Sequence, residues 1–204
     1  NHAVRNELQL INIAAETLKN NPQESSKYIN IIENASHHLE DLVRRFSEKT
    51  KPITLCIEET DIHQLVEDVL NSMEKMFTLK NINIAKQCQA GSTIVKCDRV
   101  HIEEVLINIL YNSIEAMPQG GAINLTIYNK KRFINIDVAD NGIGMSKSDM
   151  EHILEPFYST KTAQKNLGLG LTYCFAVMKQ HHGSLHITSD KNNGTTVTLS
   201  LPQR

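Results

Sequence analysis

The sequence contains no tryptophan, and five tyrosines and five phenylalanines are its only aromatic residues. Charge of neither sign dominates, since the net charge is -2, and we therefore expect no nucleic-acid partner. No apolar run is long enough to span a bilayer, and no signal-peptide pattern opens the chain. These absences predict a cytoplasmic fragment that makes no membrane contact itself.

Cysteine is scarce and lacks any CxxC spacing, which argues against a disulfide framework or a zinc site. We expect buried or half-buried free thiols in a reducing compartment. The four positions are Cys56, Cys88, Cys97 and Cys174. The histidine pairs His37-His38 and His181-His182 point to different faces of a helix, so neither forms a good metal chelate.

The length of 204 residues fits one large domain or two small ones. In residues 1–50, apolar residues recur at alternating spacings of three and four, which is typical of a helical bundle seam. The first stripe is Val4, Leu8, Ile11, Ala15 and Leu18, and the second is Tyr28, Ile32, Ala35, Leu39, Leu42 and Phe46. The chain opens inside this helical pattern, so we expect a further segment upstream.

A short loop separates the two predicted helices, with Asn21 as N-cap, Pro22 as first helical residue and Glu24 as reciprocal capping partner. Two antiparallel helices bury two such seams poorly. We therefore predict a homodimer through residues 1–50, forming a four-helix bundle; packing of the hairpin on the downstream domain is the alternative. Pro52 ends the helical pattern and marks the predicted boundary to residues 53–204.

Residues 53–204 alternate between strand and helix patterns, which predicts an α+β sandwich with a mixed sheet covered on one face by helices. Predicted helices begin at Asp61 (boxed by Gln64), at Asp98, after Ser146 and near Leu169, the last with Gly183 as its left-handed C-cap. Predicted strands lie at 53–57, 82–84, 93–97, 122–128, 133–138, 184–189 and 195–201, with turns at 129–131 and 192–194.

Three patterns in this region are individually weak. Asn108 and Asn112 share one helix face, where amide oxygens suit Mg²⁺, although solvated asparagines are the simpler explanation. Asp140-Asn141-Gly142-Ile143-Gly144 follows a strand and either forms a turn or lets backbone approach a flat ligand. Asn166-Leu167-Gly168-Leu169-Gly170 opens a helix, which is a ready anion site.

Glu155 to Lys161 precede that helix start and are short of core residues, which is typical of a mobile loop. In this order the four segments resemble the N, G1, F and G2 boxes of the GHKL ATP-binding fold, which includes histidine kinases and gyrase-type topoisomerases. The resemblance covers residues 53–204 and implies ATP and Mg²⁺ as cofactors. It implies that Asn112 binds the metal with Asn108 as helper. It also implies that Asp140 accepts a hydrogen bond from the adenine amino group, with Gly142 and Gly144 framing the base. It further implies that the loop from Tyr158 to Leu167 is a lid over the nucleotide and that Lys161 and the amides of Gly168 and Gly170 hold the phosphates. Phe157, Thr160 and Leu169 are further nucleotide-binding residues that the resemblance implies.

ATP-hydrolysing branches of this superfamily carry a glutamate where this chain has Asn108, and an amide cannot accept the proton of a water. His2-Ala3-Val4-Arg5-Asn6 instead resembles the phosphoacceptor box of sensor histidine kinases. His2 lies about 160° around the helix from Val4, away from the seam. The resemblance implies autophosphorylation of His2, with Arg5 and Asn6 nearby, and transfer to an Asp of a response regulator. The sequences of residues 112–117 and 157–161 resemble those of the nitrogen-regulation and sporulation kinases.

Two positions depart from the phosphoacceptor box: Ala3 replaces the usual acidic residue, and Glu7 replaces the usual proline. The first leaves open a phosphotransferase or phosphatase with weak autokinase activity. The second predicts that a helix kink is absent. A third alternative is an ATPase clamp, for which phosphate release would not depend on His2.

Overall fold

The computed structural model describes residues 2–20, 25–50, 53–155, 158 and 168–203, apart from the side chains of residues 2, 3, 38 and 41–50. The chain divides into two compact units. One comprises the described parts of residues 1–52 and 156–169, and the other comprises residues 53–155 and 170–204. Each unit is built on its own pattern of apolar residues.

The first unit contains a helical hairpin of α1 (His2–Asn20) and α2 (Ser25–Thr50). The helices contact each other and only four residues connect them, so they run antiparallel. Ala14 on α1 and Ala35 on α2 are each 3% exposed, so both helices have buried positions. Helix α1 continues unbroken through Glu7, as predicted from the missing proline. The predicted caps at Asn21, Pro22 and Glu24 lie outside the described residues.

The hairpin leaves much of its apolar surface uncovered within one chain. Leu8, which belongs to the predicted seam, is 48% exposed, and Ile13 is 56% exposed. Leu10 and Ile29 are exposed as well. The hairpin therefore has apolar faces that its own two helices do not bury.

The second unit contains short helices and strands in alternation. Its elements are β1 (Glu58–Asp61), α3 (Ile62–Leu79), β2 (Ile82–Cys88), β3 (Ile94–Cys97), α4 (Arg99–Glu115), β4 (Gly121–Lys130), β5 (Phe133–Asp140), α5 (Lys147–His152), α6 (Gly170–Gln180), β6 (Ser184–Ser189) and β7 (Thr195–Pro202).

Five strands form one sheet in the order β2-β4-β5-β7-β6, and β1 and β3 form a separate two-stranded ladder. Strands β2 and β4 run parallel, whereas the other neighbours in the large sheet are antiparallel. Helix α4 contacts both α3 and α6, and each of the three helices contacts strands of this sheet. The predicted α+β class with a mixed sheet is confirmed.

The core lies between the sheet and these helices. Alternate residues of β4 and β5 are fully buried, which is the period-2 pattern of a sheet with one covered face. Six apolar residues that recur at helical spacing along α4 form a stripe in which each is at most 4% exposed; these are Ile102, Val105, Leu106, Ile109, Leu110 and Ile114. Hence α4 is the central helix of the unit, and its buried stripe fixes the position of the polar residues beside it, Asn108 and Asn112.

The predicted strand at residues 53–57 is wrong, because β1 begins only at Glu58. The N–H of Cys56 donates to the Asp98 carboxylate at 2.7 Å, so this segment is anchored to the start of α4 instead of to a neighbouring strand. Only from Glu58, opposite Cys97, does the ladder with β3 begin.

Helix caps follow the sequence in part. The Asp61 carboxylate accepts from the N–H of His63, and Asp98 accepts from the N–H of His101, so both act as N-caps as predicted. The predicted box partner Gln64 is wrong, because its amide donates to Asp68 one turn further along the helix. Ser146 caps α5 through a complete capping box with Asp149.

Two turns differ from their predicted form. The β4–β5 turn falls at 131–132, with Lys131 at φ +58°, because Asn129 stays in the ladder opposite Ile134. His182 (φ +55°), not Gly183, takes the left-handed position after α6. Gly183 is needed for a close approach instead, since a Cβ there would lie 2.3 Å from the Ser200 carbonyl oxygen.

The cysteines are free, but the expectation that all are at least half-buried is wrong for two of them. Cys97 and Cys174 are buried, whereas Cys56 and Cys88 are exposed. Among the described helices, none combines the length and apolar character needed to cross a bilayer.

Candidate functional site

The Asp140 carboxylate lies at the end of β5, where the strand reaches α4. It is 9% exposed and accepts three hydrogen bonds. One comes from the Ser113 hydroxyl to Oδ2 at 2.9 Å, and two come to Oδ1 from the N–H groups of Gly142 (3.0 Å) and Thr195 (3.2 Å). An ionised carboxylate offers about four acceptor positions, so this one is fixed in orientation with about one position left. Such a carboxylate is suited to accept one hydrogen bond from a donor group on a ligand.

The loop after Asp140 packs against the end of α4 through its glycines. A Cβ on Gly142 would lie 2.7 Å from the Ala116 carbonyl oxygen, and the N–H of Ile143 donates to that same oxygen. Gly144 has φ +59°, and a Cβ there would lie 2.0 Å from the Asp190 carbonyl oxygen. These contacts require both glycines for backbone packing, which keeps the loop close to Asp140. The framing of a base by Gly142 and Gly144 stays a prediction.

Asn108 and Asn112 lie one turn apart on α4, beside its buried stripe. The Asn108 side-chain amide donates to the Glu104 carbonyl oxygen at 2.8 Å, which leaves its Oδ1 facing the start of α6. A Cβ on Gly170 would lie 3.4 Å from this Oδ1. The Asn112 carboxamide is half-buried, and within the described part of the chain it makes no hydrogen bond. Its oxygen is therefore available to a hard cation such as Mg²⁺.

Helix α6 begins at Gly170, directly after the predicted glycine segment. Gly168 has φ +66°, which favours glycine, and Leu169 is 7% exposed. The first N–H groups of a helix lack partners within the helix, and they attract anions. The beginning of α6 therefore offers donors next to the Asn108 oxygen.

Comparison with known proteins adds the family to this geometry. Residues 97–204 match the model of a family described as histidine kinase-, DNA gyrase B-, and HSP90-like ATPases. The chain belongs to this family. The matched segment begins just before α4 and includes every predicted nucleotide-site residue from Asn108 to Gly170.

Two sporulation kinases of Bacillus subtilis (strain 168) are similar over almost the whole chain. Sporulation kinase D is 30% identical over 204 residues, which cover 98% of this chain and 40% of that protein. Sporulation kinase E is 28% identical over 205 residues, which cover 100% of this chain and 28% of that protein. The chain thus spans less than half the length of these relatives. The predicted resemblance to the histidine kinase catalytic core, and to the sporulation kinases, is confirmed.

A solved structure of histidine kinase ThkA in complex with the response regulator protein TrrA is similar to the chain at a TM-score of 0.75. The identity is 27%, and the match covers 100% of this chain and 59% of that one. The catalytic domain of ThkA alone matches with a TM-score of 0.66 at 28% identity, covering 72% of this chain and 96% of that one.

Several predicted site residues lie partly or wholly outside the described part of the chain. Phe157, Thr160 and Lys161 lie outside the described residues. His2 belongs to α1, but its side chain is not described, whereas Arg5 and Asn6 are exposed on the same helix. The roles predicted for these residues stay predictions.

Two hydrogen-bond partners of Asp140 were not predicted from the sequence. Ser113 is 3% exposed, and a small polar residue inside the apolar stripe of α4 was a signal that it bonds another buried group. Thr195 gave no such signal, because its contact depends on the register of β5 and β7, which places Asp140 opposite Thr195.

Proposed function

We propose that this chain is the catalytic core of a two-component sensor histidine kinase. It binds Mg-ATP in residues 53–204, phosphorylates His2 in residues 1–50, and passes the phosphoryl group to an Asp of a response regulator. The observation that carries this proposal is the Asp140 carboxylate, which is oriented by three donors and lies at the end of the helix bearing Asn112. The rest of the proposal assigns a role to each group around it.

On the nucleotide side, the remaining acceptor position of Asp140 takes the exocyclic amine of adenine. The loop with Gly142 and Gly144 flanks the base. The Asn112 side-chain oxygen would hold Mg²⁺, with Asn108 as its helper. A single amide ligand fits this ion, because Mg²⁺ usually keeps several waters and takes its other oxygens from phosphates. Mg²⁺ neutralises part of the phosphate charge when bound. The phosphates contact Lys161 and the amides of Gly168 and Gly170, and the loop from Tyr158 to Leu167 covers the nucleotide as a lid. Phe157, Thr160 and Leu169 complete the nucleotide-binding residues.

Transfer to a side chain is favoured over hydrolysis, because no general base stands at position 108. The Asn108 amide cannot accept a proton, and its nitrogen is already bonded to the Glu104 carbonyl oxygen. In the transfer, a ring nitrogen of His2 bonds to the γ-phosphorus while the bond from that phosphorus to the β,γ-bridging oxygen breaks. ADP leaves with that oxygen, and the imidazole releases one proton to water.

On the helical side, Arg5 and Asn6 are exposed beside His2, where an incoming nucleotide or receiver domain reaches them. ThkA, whose structure was solved with a response regulator, supports a receiver domain as the partner. The exposed Leu8, Leu10, Ile13 and Ile29 support a homodimer through residues 1–50, in which a second hairpin covers these side chains.

The proposal is tested by incubating the protein with Mg²⁺ and γ-labelled ATP. We expect label that is stable in base and lost in acid, as a phosphohistidine requires. His2→Gln removes it, whereas His37→Gln, at an exposed histidine of α2, retains it. Label that survives His2→Gln would remove His2 from the mechanism, and steady phosphate release that is independent of His2 would favour an ATPase instead.

A further inference from the structure

Helices α4 and α6 are joined by polar contacts as well as by apolar packing. The Tyr173 hydroxyl donates to Glu104 Oε2 at 2.5 Å. The ring of His101, one turn earlier on α4, stacks on the Tyr173 ring with centroids 6.5 Å apart. Tyr173 is 7% exposed, and burial together with the Glu104 carboxylate raises the pKa of its hydroxyl above the usual 10.0. The hydroxyl therefore keeps its proton and donates it to Glu104 in this hydrogen bond.

The far end of α6 is fixed to α4 by a second contact. His181 Nε2 accepts from the N–H of Asp98 at 2.9 Å, and its Nδ1 lies 2.8 Å from the Val177 carbonyl oxygen. Because a carbonyl only accepts, Nδ1 carries the proton and the ring is neutral. Eight residues separate Tyr173 from His181, which is about 12 Å along the helix. Two anchors at this separation fix the position of α6 along α4.

The Tyr173 anchor lies next to the predicted phosphate end of the site. Gly170, the first residue of α6, is three residues before Tyr173, and a Cβ placed on it would lie 3.4 Å from the Asn108 Oδ1. Asn108 in turn bonds the carbonyl oxygen of Glu104, the residue whose side chain accepts from Tyr173. Glu104 therefore contacts both the helix that begins at Gly170 and the asparagine that faces this glycine.

We propose that Tyr173 and Glu104 are positioning residues that set the distance between the first amides of α6 and the asparagines of α4. In the proposed site those amides contact the phosphates, whereas Asp140 contacts the base. The hydrogen bond from Tyr173 to Glu104 therefore controls affinity for the phosphate chain and leaves affinity for adenosine unchanged. The inference rests on the proposed function, because it takes the site to be a nucleotide site. A hydrogen bond that only stabilises the fold would not discriminate between the two halves of a ligand.

The test uses Tyr173→Phe, which removes the hydroxyl and keeps the ring against His101. Competition against a fluorescent nucleotide, with Mg²⁺ present, gives the affinities for ATP, ADP and adenosine. We expect the affinity for ATP to fall about tenfold, as for a lost hydrogen bond to a charged acceptor. The affinity for ADP should fall less, and that for adenosine should stay within about twofold. The single variant Glu104→Gln keeps the Tyr173 hydroxyl and an acceptor oxygen, so it should retain most of the wild-type affinity for ATP.

The matched control is His181→Gln, at the other anchor of α6. It should lower the free energy of unfolding and leave the ratio of ATP to adenosine affinity unchanged. The inference is overturned if Tyr173→Phe weakens ATP and adenosine equally, or lowers only the unfolding temperature. Failure of the wild-type protein to bind ATP at all would instead refute the proposed function, so the two failures are distinguishable.

Discussion

The Asp140 carboxylate accepts a hydrogen bond from the Ser113 hydroxyl at 2.9 Å, and this bond connects the end of β5 to α4. Ser113 directly follows Asn112 in the sequence, so the group proposed to read the base and the group proposed to hold Mg²⁺ are fixed to the same turn of one helix. One hydrogen bond thus connects the proposed base-binding residue Asp140 to the helix turn that carries the proposed Mg²⁺ ligand Asn112.

Asp140→Asn should weaken ATP binding by at least about tenfold, because the amide that replaces one oxygen is a donor facing the donor of adenine. Inosine triphosphate, which carries an acceptor in place of that amine, provides the matched ligand. We expect inosine triphosphate to bind the wild type more weakly than ATP does. Its affinity for Asp140→Asn should equal or exceed its affinity for the wild type. Isothermal titration of both nucleotides against both proteins measures this, and equal losses for the two would argue against base reading by Asp140.

Stability should fall as the pH decreases below the ordinary histidine value of 6.5, and His181 should be one cause. Burial lowers the pKa of His181, although its bond to the Val177 carbonyl opposes this. The unfolded chain therefore takes up a proton near pH 6.5 while the folded chain does not, and protonation favours unfolding until the pH passes the folded pKa.

The measurement is urea unfolding of the wild type and His181→Gln over a series of pH values. The difference in unfolding free energy between the two proteins should be largest near about pH 8 and should narrow as the pH falls below 6.5. Asp98 titrates in a separate window, since the hydrogen bonds from the N–H groups of His101 and Cys56 outweigh its burial and lower its pKa from 3.8. Parallel curves for the two proteins would contradict the assignment.

Leu8→Asp should convert the protein from dimer to monomer. Leu8 is 48% exposed in the single chain, and a charge placed in the bundle interface is costly to bury. Gln9→Asp, at the adjacent exposed position, adds the same charge outside the predicted seam and should leave the dimer intact. Sedimentation equilibrium distinguishes the two, and a wild-type monomer at all concentrations would refute the proposed bundle.

Ala3→Glu should raise the rate of label incorporation from γ-labelled ATP several-fold, since a carboxylate beside His2 accepts the proton that the imidazole loses. Ala3→Gln, similar in size but not basic, is the control and should have no such effect. If neither substitution changes the rate, the missing carboxylate is not what limits the reaction, and the alternative of a weak autokinase loses its basis.

Much of the fold could be predicted from local patterns. The stripe of α4 from Ile102 to Ile114 and the caps at Asp61 and Asp98 depend on residues within one or two turns, which a sequence displays directly. The errors at residues 53–57 and at Gln64 arose where a partner distant in sequence or on the next turn took the hydrogen bond. Gly183 was assigned the left-handed position by residue type alone, while His182 adopts it.

The site could be predicted only as a set of separate segments. The order of the motifs placed Asn108, Asn112 and Asp140 in one region, but it gave no indication of Thr195 or of the bond between Tyr173 and Glu104. Those contacts span 55 and 69 residues and depend on strand register and on how α6 lies along α4.

The most direct test of the account is to locate the phosphoryl group itself. The protein is incubated with Mg-ATP and digested at alkaline pH, which preserves phosphohistidine, and the peptides are sequenced by mass spectrometry. The account predicts one phosphoryl group, on the peptide that begins the chain and at His2. Tight nucleotide binding at Asp140 without any phosphoryl group on His2, or with the group on another residue, would contradict it.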